Sequence, residues 1–503
     1  MALSRRDLFL GHFLQEETAS KTATSAGSVQ AVSTTDPTLH FLQRITYGPR
    51  PAEVARARQI GIEATLEEQL NPDQIEDAEA DGRLRNLPLL NMDRHSLHRL
   101  TNSEYRSYRA LIEGMITRAV YSKRQLLERM VEFWSDHFNI SGDEYTRDLL
   151  VFQREAIRAN ALGSFRDLLF ATAKSPAMLT YLDNYINIAE APNENYAREI
   201  MELHTLGVNG GYTENDVKEV ARAFTGWTIH NGTRTGFYFN SEEHDSGPKV
   251  VLGHALPGGR GIEDGLHVLN ILTEHPATAR FICTKLCVRF VSDMPPASLI
   301  DRLTAVWQQS SGDIKTVLRT LFLSDEFFNS AGQKFKRPLD FFIGALRATD
   351  TQFKDWWRLE EMMYQLGQPP YGWPPPNGYP DVAAAWQNSG GLLARWNIAM
   401  SLTHGAYEDI YDDGYSLTTN LHERIGQPET VSQLVDAVAE QLLGAPLAGE
   451  AKVDFVNYVT DGTGNGETAS SESAEVAVTP HLLARKLASL FGLMLASPAF
   501  QWR

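Results

Sequence analysis

An all-α fold is expected for this 503-residue chain: a predominantly helical, single large body with a short hairpin or loop insertion and long irregular Pro/Gly segments. Apolar residues recur at the helical period through most of the chain. Ser, Thr and Asn stand at the starts of those stretches and Gly beyond their ends, which is helix-cap chemistry. No fixed-period repeat occurs, which argues against a solenoid. A hydrophobic content of 43% suffices for a sizeable core. With 46 Lys plus Arg against 63 Asp plus Glu the net charge is −17, and no basic block stands out. Nucleic acid and anionic membrane are therefore excluded as the main partner. No run of about 18 apolar residues suggests a membrane span.

Residues 1–37 read as a flexible leader. Within it, Ser4-Arg5-Arg6-Asp7-Leu8-Phe9-Leu10 is like the start of a twin-arginine export signal, but Glu16 and Glu17 stand where the apolar stretch belongs. As written, the chain is expected in the cytoplasm; if the start is a signal remnant or is assigned too far downstream, the protein is periplasmic or secreted. The helical body spans 38–459. In it, Ser122 to Phe138 projects Leu126, Leu127, Met130, Val131, Phe133, Trp134 and Phe138 into one arc that includes His137. Glu128, Glu132, Ser135 and Asp136 fall opposite, as an expected solvated face. Ser175-Pro176 opens another helix. Asn193 caps the next, which Gly207 closes, and Tyr196, Ala197, Ile200, Met201, Leu203 and Leu206 cover most of its circumference. That coverage carries Glu199 and His204 inward and leaves Asn195, Arg198 and Glu202 on a narrow polar face.

Thr213 to Asp216 reads as a capping box before Val217, Val220, Ala221 and Phe224. Thr228 to Lys249 is expected as a loop or short hairpin. Cys283 and Cys287, four apart on one helix, are two small core side chains rather than half a metal site. Pro257-Gly258-Gly259-Arg260-Gly261 lacks the ending of a phosphate loop and reads as a turn. Pro369 to Pro380 is extended. A Ser/Glu/Gly linker, 460–479, leads to a C-terminal helix in 480–503 that packs on the body.

Several phrases together resemble one family: Leu42-Gln43-Arg44-Ile45-Thr46-Tyr47-Gly48-Pro49-Arg50, Phe133-Trp134-Ser135-Asp136-His137-Phe138, Tyr181-Leu182-Asp183, Asn193-Glu194-Asn195-Tyr196-Ala197-Arg198-Glu199, Glu202-Leu203-His204-Thr205-Leu206-Gly207, Gly211-Tyr212-Thr213, Ala221-Arg222-Ala223-Phe224-Thr225-Gly226-Trp227 and the His244 to Lys249 loop. The chain is similar to a large bacterial family known as the domain of unknown function numbered eighteen hundred, from about residue 38 onward. The resemblance implies a helical bacterial protein in a family whose members often carry export signals, and it brings no reaction with it.

The polar residues of the middle third supply the candidate chemistry. One reading is a hydrolase or lyase acting on a carbohydrate or envelope polymer. Glu199 would be the buried acid, Asp245 or Glu194 its partner, and Trp134, Trp227 and Trp373 the stacking surfaces. His137 and His204 join the catalytic set. Asp183, Asn193, Asn195, Arg198, Arg222 and Lys249 are the expected substrate-binding groups. A second reading is a divalent metal, the one cofactor these residue types suggest, held by His137, Glu199, His204 and His244. A third is a non-enzymatic binding or assembly factor that meets a protein partner through the Pro-rich segment. Against all three stands a buried structural network, with Glu199 paired to Arg198 or Arg222 and His204 satisfied by a backbone carbonyl.

Overall fold

The computed structural model describes residues 36–142, 146–230, 236–353, 356–405, 417–460 and 474–503. The expected leader, apart from its last residues, and most of the expected linker lie outside that set. Helices dominate, and among the described residues the strands form two-stranded pairs.

Local chemistry explains the helix ends. Asp36 accepts hydrogen bonds from the Thr38 and Leu39 amides at 2.8 and 3.3 Å and so starts the Pro37–Ile45 helix. Asn193 accepts from the Asn195 amide at 2.9 Å and starts Glu194–Glu202. Thr213 and Asp216 form the expected capping box of Glu214–Ala223. The Asn193-capped helix ends at Glu202, short of the expected Gly207, because the Thr205 hydroxyl bonds to the Ile200 carbonyl at 2.6 Å and the chain turns under it. Gly207 still adopts a left-handed φ of 79°.

The expected hairpin is present as Trp227–His230 paired antiparallel with Gly236–Phe239. A second, Lys249–Val251 with His254–Leu256, turns on Leu252 and Gly253, both at positive φ. Cys283 and Cys287 are free and fully buried. Among the described residues no helix is long and apolar enough to cross a membrane.

Apolar side chains gather into two large cores and one small one. The first runs from Leu39 to Phe327 and includes most of the Gln125–His137 helix. The second joins the Ser103–Tyr121 helix to Pro338–Thr349, all twelve residues of which are buried, and to the C-terminal helices. Pro480–Ala496 lies so close to Ser389–His404 that a Cβ on Gly492 would fall 2.6 Å from the Met400 sulfur. The small cluster, built on Leu90, Leu97 and Leu150, closes a third side. All three clusters contribute to the wall of one cavity.

Candidate functional site

The cavity has a volume of about 160 Å³ and lies along the charged face of the Gln125–His137 helix. An apolar cavity of roughly 150 Å³ holds benzene, so a six-membered ring fits the scale. Glu128, Glu132 and Asp136 line it from successive turns of that helix. This corrects the expected solvated face: Glu128 and Glu132 are shielded, with side chains only 7% and 10% exposed, and Asp136 is about one-fifth exposed at 21%. Like charges four residues apart repel on an isolated helix. Their partners come from other elements.

Arg158 forks onto Glu128 from a π-helical stretch, Gln153–Arg158, whose wider turn also points Gln153 at the cavity. Ser135 donates to Gln153 at 2.7 Å. Arg289 and Arg337 both grip Glu132, and Arg337 also reaches Asp136 at 2.8 Å. Behind them Asp340, fully buried, binds Arg129 and sits 2.9 Å from Arg503. Asp381 meets Arg289 at 3.1 Å and Lys334 at 3.4 Å.

This arrangement drives the two pocket carboxylates apart in acidity. Burial alone would raise Glu132, but the charges of Arg289, Arg337 and Arg129 outweigh it and hold the group below the usual carboxylate range. Asp136 is raised to about 7, by burial first and then by the Glu132 charge, against which Arg337 and Arg289 only partly compensate. Two adjacent carboxyls with opposed shifts are a common arrangement for acid–base chemistry.

The Pro-rich segment closes the cavity. Pro369, Tyr371 and Tyr379 line it, and the strap is tied down by Asn139, which donates to the Trp373 and Pro375 carbonyls at 2.8 and 2.7 Å. Gly378, at φ 72°, passes so near the pocket helix that a Cβ there would sit 2.0 Å from the Asp136 carbonyl oxygen. Tyr371 holds a left-handed φ of 56°, a strained backbone for a bulky side chain.

The residues expected from the sequence divide into separate groups. His137 and His204 do meet: one His137 ring nitrogen lies 3.0 Å from the His204 carbonyl, and the other lies 3.0 Å from Lys285 Nζ. Burial, then the Lys285 charge, keeps His204 neutral down to about 3, and His137 is depressed likewise. Neither histidine lines the cavity. Glu199, expected inside, is half-buried, with its charge felt by the Tyr181 phenol, since Leu203 does not complete the apolar arc. Trp134 and Trp227 are fully buried, so the stacking role expected of them has no accessible ring face. Trp373 is half-buried on the strap, its indole N–H on Asn377 at 2.8 Å. Glu194, Arg198 and Glu214 form a surface ion-pair set, with Asn195 and the exposed Asp183 near its edge.

His244, Asp245, Lys249 and Arg222 form a second charged cluster. Arg222 forks onto Asp245 at 2.7 and 3.2 Å, and the Gly247 amide takes Asp245 Oδ1 at 2.8 Å. Lys249 is sealed against Asp264 at 2.8 Å, and His244 approaches the same carboxylate at 3.5 Å. These groups pin the 244–264 loop to the Glu214–Ala223 helix. Among the described residues no three His, Cys, Asp or Glu side chains are placed to hold a metal ion, and His244 stands with Asp264 rather than with His137, Glu199 and His204.

The cavity residues Arg118, Glu132, Asp136, Arg158 and Tyr371 were not singled out by sequence reasoning. The signal was present in the Glu128, Glu132, Asp136 ladder, which is self-repelling unless distant cations answer it. No curated protein and no solved structure matches the chain. A family model described as a protein of unknown function, DUF1800, matches residues 40–502, and the chain belongs to that family.

Proposed function

We propose that the protein is an acid–base enzyme of hydrolase or lyase type acting on a carbohydrate, with the cavity beside the Gln125–His137 helix as its active site. The observation that carries this reading is the carboxyl pair in one ring-sized cavity, Glu132 held ionised and Asp136 raised to about 7. A group near 7 gives and takes a proton with equal ease at neutral pH. In hydrolysis, Asp136 donates its proton to the departing glycosidic oxygen as the carbon–oxygen bond breaks. The water that replaces the leaving group then returns a proton to Asp136. Glu132, whose basicity two arginines reduce, is poorly suited as a base. Its charge instead helps keep the proton on the neighbouring Asp136 until the leaving oxygen takes it. This assignment replaces Glu199, Asp245 and Glu194 in the expected roles. Asp245 already has Arg222 and the Gly247 amide on its oxygens, and Glu194 pairs with Arg198 on the surface.

The test is turnover of a panel of neutral, amino and acidic polysaccharides, read as new reducing ends and as ultraviolet absorbance from an unsaturated sugar. Asp136→Asn is expected to keep the circular dichroism spectrum and lose about 10²–10⁴ in rate. The native kcat/KM is expected to fall as pH rises through about 7, because the acid form of Asp136 is then lost. Turnover unchanged in Asp136→Asn overturns the assignment.

A further inference from the structure

We infer that Arg118 is the anion-binding subsite of this cavity, so that the sugar it admits carries a negatively charged substituent, a carboxylate or a sulfate or phosphate ester. The inference rests on the proposed active site and adds the class of its substrate.

Arg118 lies on the Ser103–Tyr121 helix, three and seven residues after the cavity-wall positions Met115 and Leu111, so one stripe of that helix faces the space. Its guanidinium folds back over Gly114: a Cβ on that glycine would stand 3.3 Å from Arg118 Nη1 and 2.9 Å from Leu90. A mid-helix glycine costs about 1 kcal/mol relative to alanine. Here its missing side chain leaves room for the arginine to turn toward the cavity.

What sets Arg118 apart is its lack of a partner. Arg158, beside it, is neutralised by Glu128, and Glu132 is matched by Arg289 and Arg337. Among the described residues the Arg118 guanidinium has neither a hydrogen bond nor an ion pair. A guanidinium carries five N–H donors in a planar fork that fits two oxygens of one anion. Burial, then the neighbouring Arg158 charge, brings Arg118 down to about 10, which leaves it cationic at neutral pH. Tyr371 lines the same cavity. After burial, which dominates, its phenol feels the charges of Arg158 and Arg118, which lower it, and of Glu128 and Glu132, which raise it. An anion seated on Arg118 would have that phenol within reach as a second donor, in the cavity that Asp136 also lines.

The experiment is calorimetric titration of the whole protein with glucuronate, glucose, inorganic sulfate and inorganic phosphate. Glucuronate is expected to bind at least tenfold more tightly than glucose, to lose at least tenfold in Arg118→Gln, and to recover part of the loss in Arg118→Lys. Sulfate or phosphate binding as tightly as glucuronate, and competing with it, identifies the substituent as the tetrahedral ester. The ligand-free thermal midpoint of Arg118→Gln is expected to hold or rise, since an unpartnered, half-buried cation is removed. A fall in that midpoint, or affinity unchanged in the variant, or no anion binding more tightly than glucose, overturns the subsite. The two proposals fail separately. Arg118-dependent binding that persists while no polysaccharide is turned over removes the catalytic reading alone, whereas Asp136-dependent turnover of neutral glycans that is indifferent to Arg118→Gln removes the subsite alone.

Discussion

The loop cluster of Arg222, Asp245, Lys249 and Asp264 and the pocket cluster of Glu132, Asp136, Arg337 and Asp340 both gather charges from several elements, yet they end in different states. In the loop cluster the principal charges are answered locally: Asp245 by Arg222 and a backbone amide, Lys249 by Asp264 and two carbonyls. In the pocket cluster the arginines are shared unequally, Glu132 taking two and Asp136 being left as the last carboxyl to ionise. The pocket cluster, moreover, borders a space the size of a sugar ring. A high density of buried charge therefore does not mark a site; an unequal distribution beside an opening does.

The comparison can be broken most forcefully at the base of the pocket cluster. Asp340 is fully buried and binds Arg129 and Arg503, with Arg337 nearby at 3.6 Å. Asp340→Asn removes the carboxylate that these three arginines share, and breaking a buried pair costs about 3–5 kcal/mol. Urea denaturation should register that loss. A change under 1 kcal/mol would mean the arginines are balanced elsewhere and the cluster is not built around Asp340. Asp245→Asn is expected to cost less, about 1.5–3 kcal/mol for hydrogen bonds to a charged group, with sugar binding and turnover untouched. A loss of turnover there would return the 244–264 loop to the active site.

Much of the scaffold was legible from local pattern. The caps at Asn193 and Thr213, the loop or hairpin expected from Thr228, and the buried arc of Leu126, Met130, Phe133 and Trp134 follow from chemistry within a few residues of each position. The pocket was not, because its meaning depends on long-range partners. Glu132 looks solvated on its own helix, and the arginines that cover it lie 157 and 205 residues away in the chain. Glu199 shows the opposite error. A helical projection assumed the helix ran on to Gly207, but it stops at Glu202, and Leu203 does not close the apolar ring. Periodicity reports which face is apolar; it does not report what covers the other face.

The buried histidines offer a third and smaller contrast, because they belong to the core and not to either charged cluster. His204 and His40 stay neutral down to about 3, and His137 is also strongly depressed, in each case chiefly by burial. In the unfolded chain each takes up a proton near 6.5. Their stabilising contribution is therefore present above 6.5 and is lost as pH falls toward 3, at roughly 1.4 kcal/mol per pH unit for each histidine. His204→Gln should flatten the acid limb of a stability curve by about one such increment between pH 6 and 4. An unchanged slope would show that His204 is already protonated in the folded protein.

The smallest expected effect discriminates best between the two charged clusters, because it has the opposite sign. The Asp136 carboxyl is raised in the folded protein to about 7 from an ordinary value of 3.8. Below the ordinary value both folded and unfolded chains hold the proton, so the group contributes nothing to the pH slope. Between the two values the unfolded chain releases the proton and the folded chain keeps it, so stability falls as pH rises and the loss is complete above about 7. Asn mimics the protonated acid and does not titrate. Asp136→Asn should thus match the native protein at and below about pH 4 and exceed it above pH 7 by on the order of 0.5–1 kcal/mol, a gain reduced by partial exposure. A residue kept at a cost in stability, beside a cavity, is more readily explained by chemistry than by architecture. If Asp136→Asn instead destabilises the protein at pH 8, as Asp245→Asn is expected to do, Asp136 is a structural anion like those of the loop cluster, and the functional distinction between the two clusters disappears.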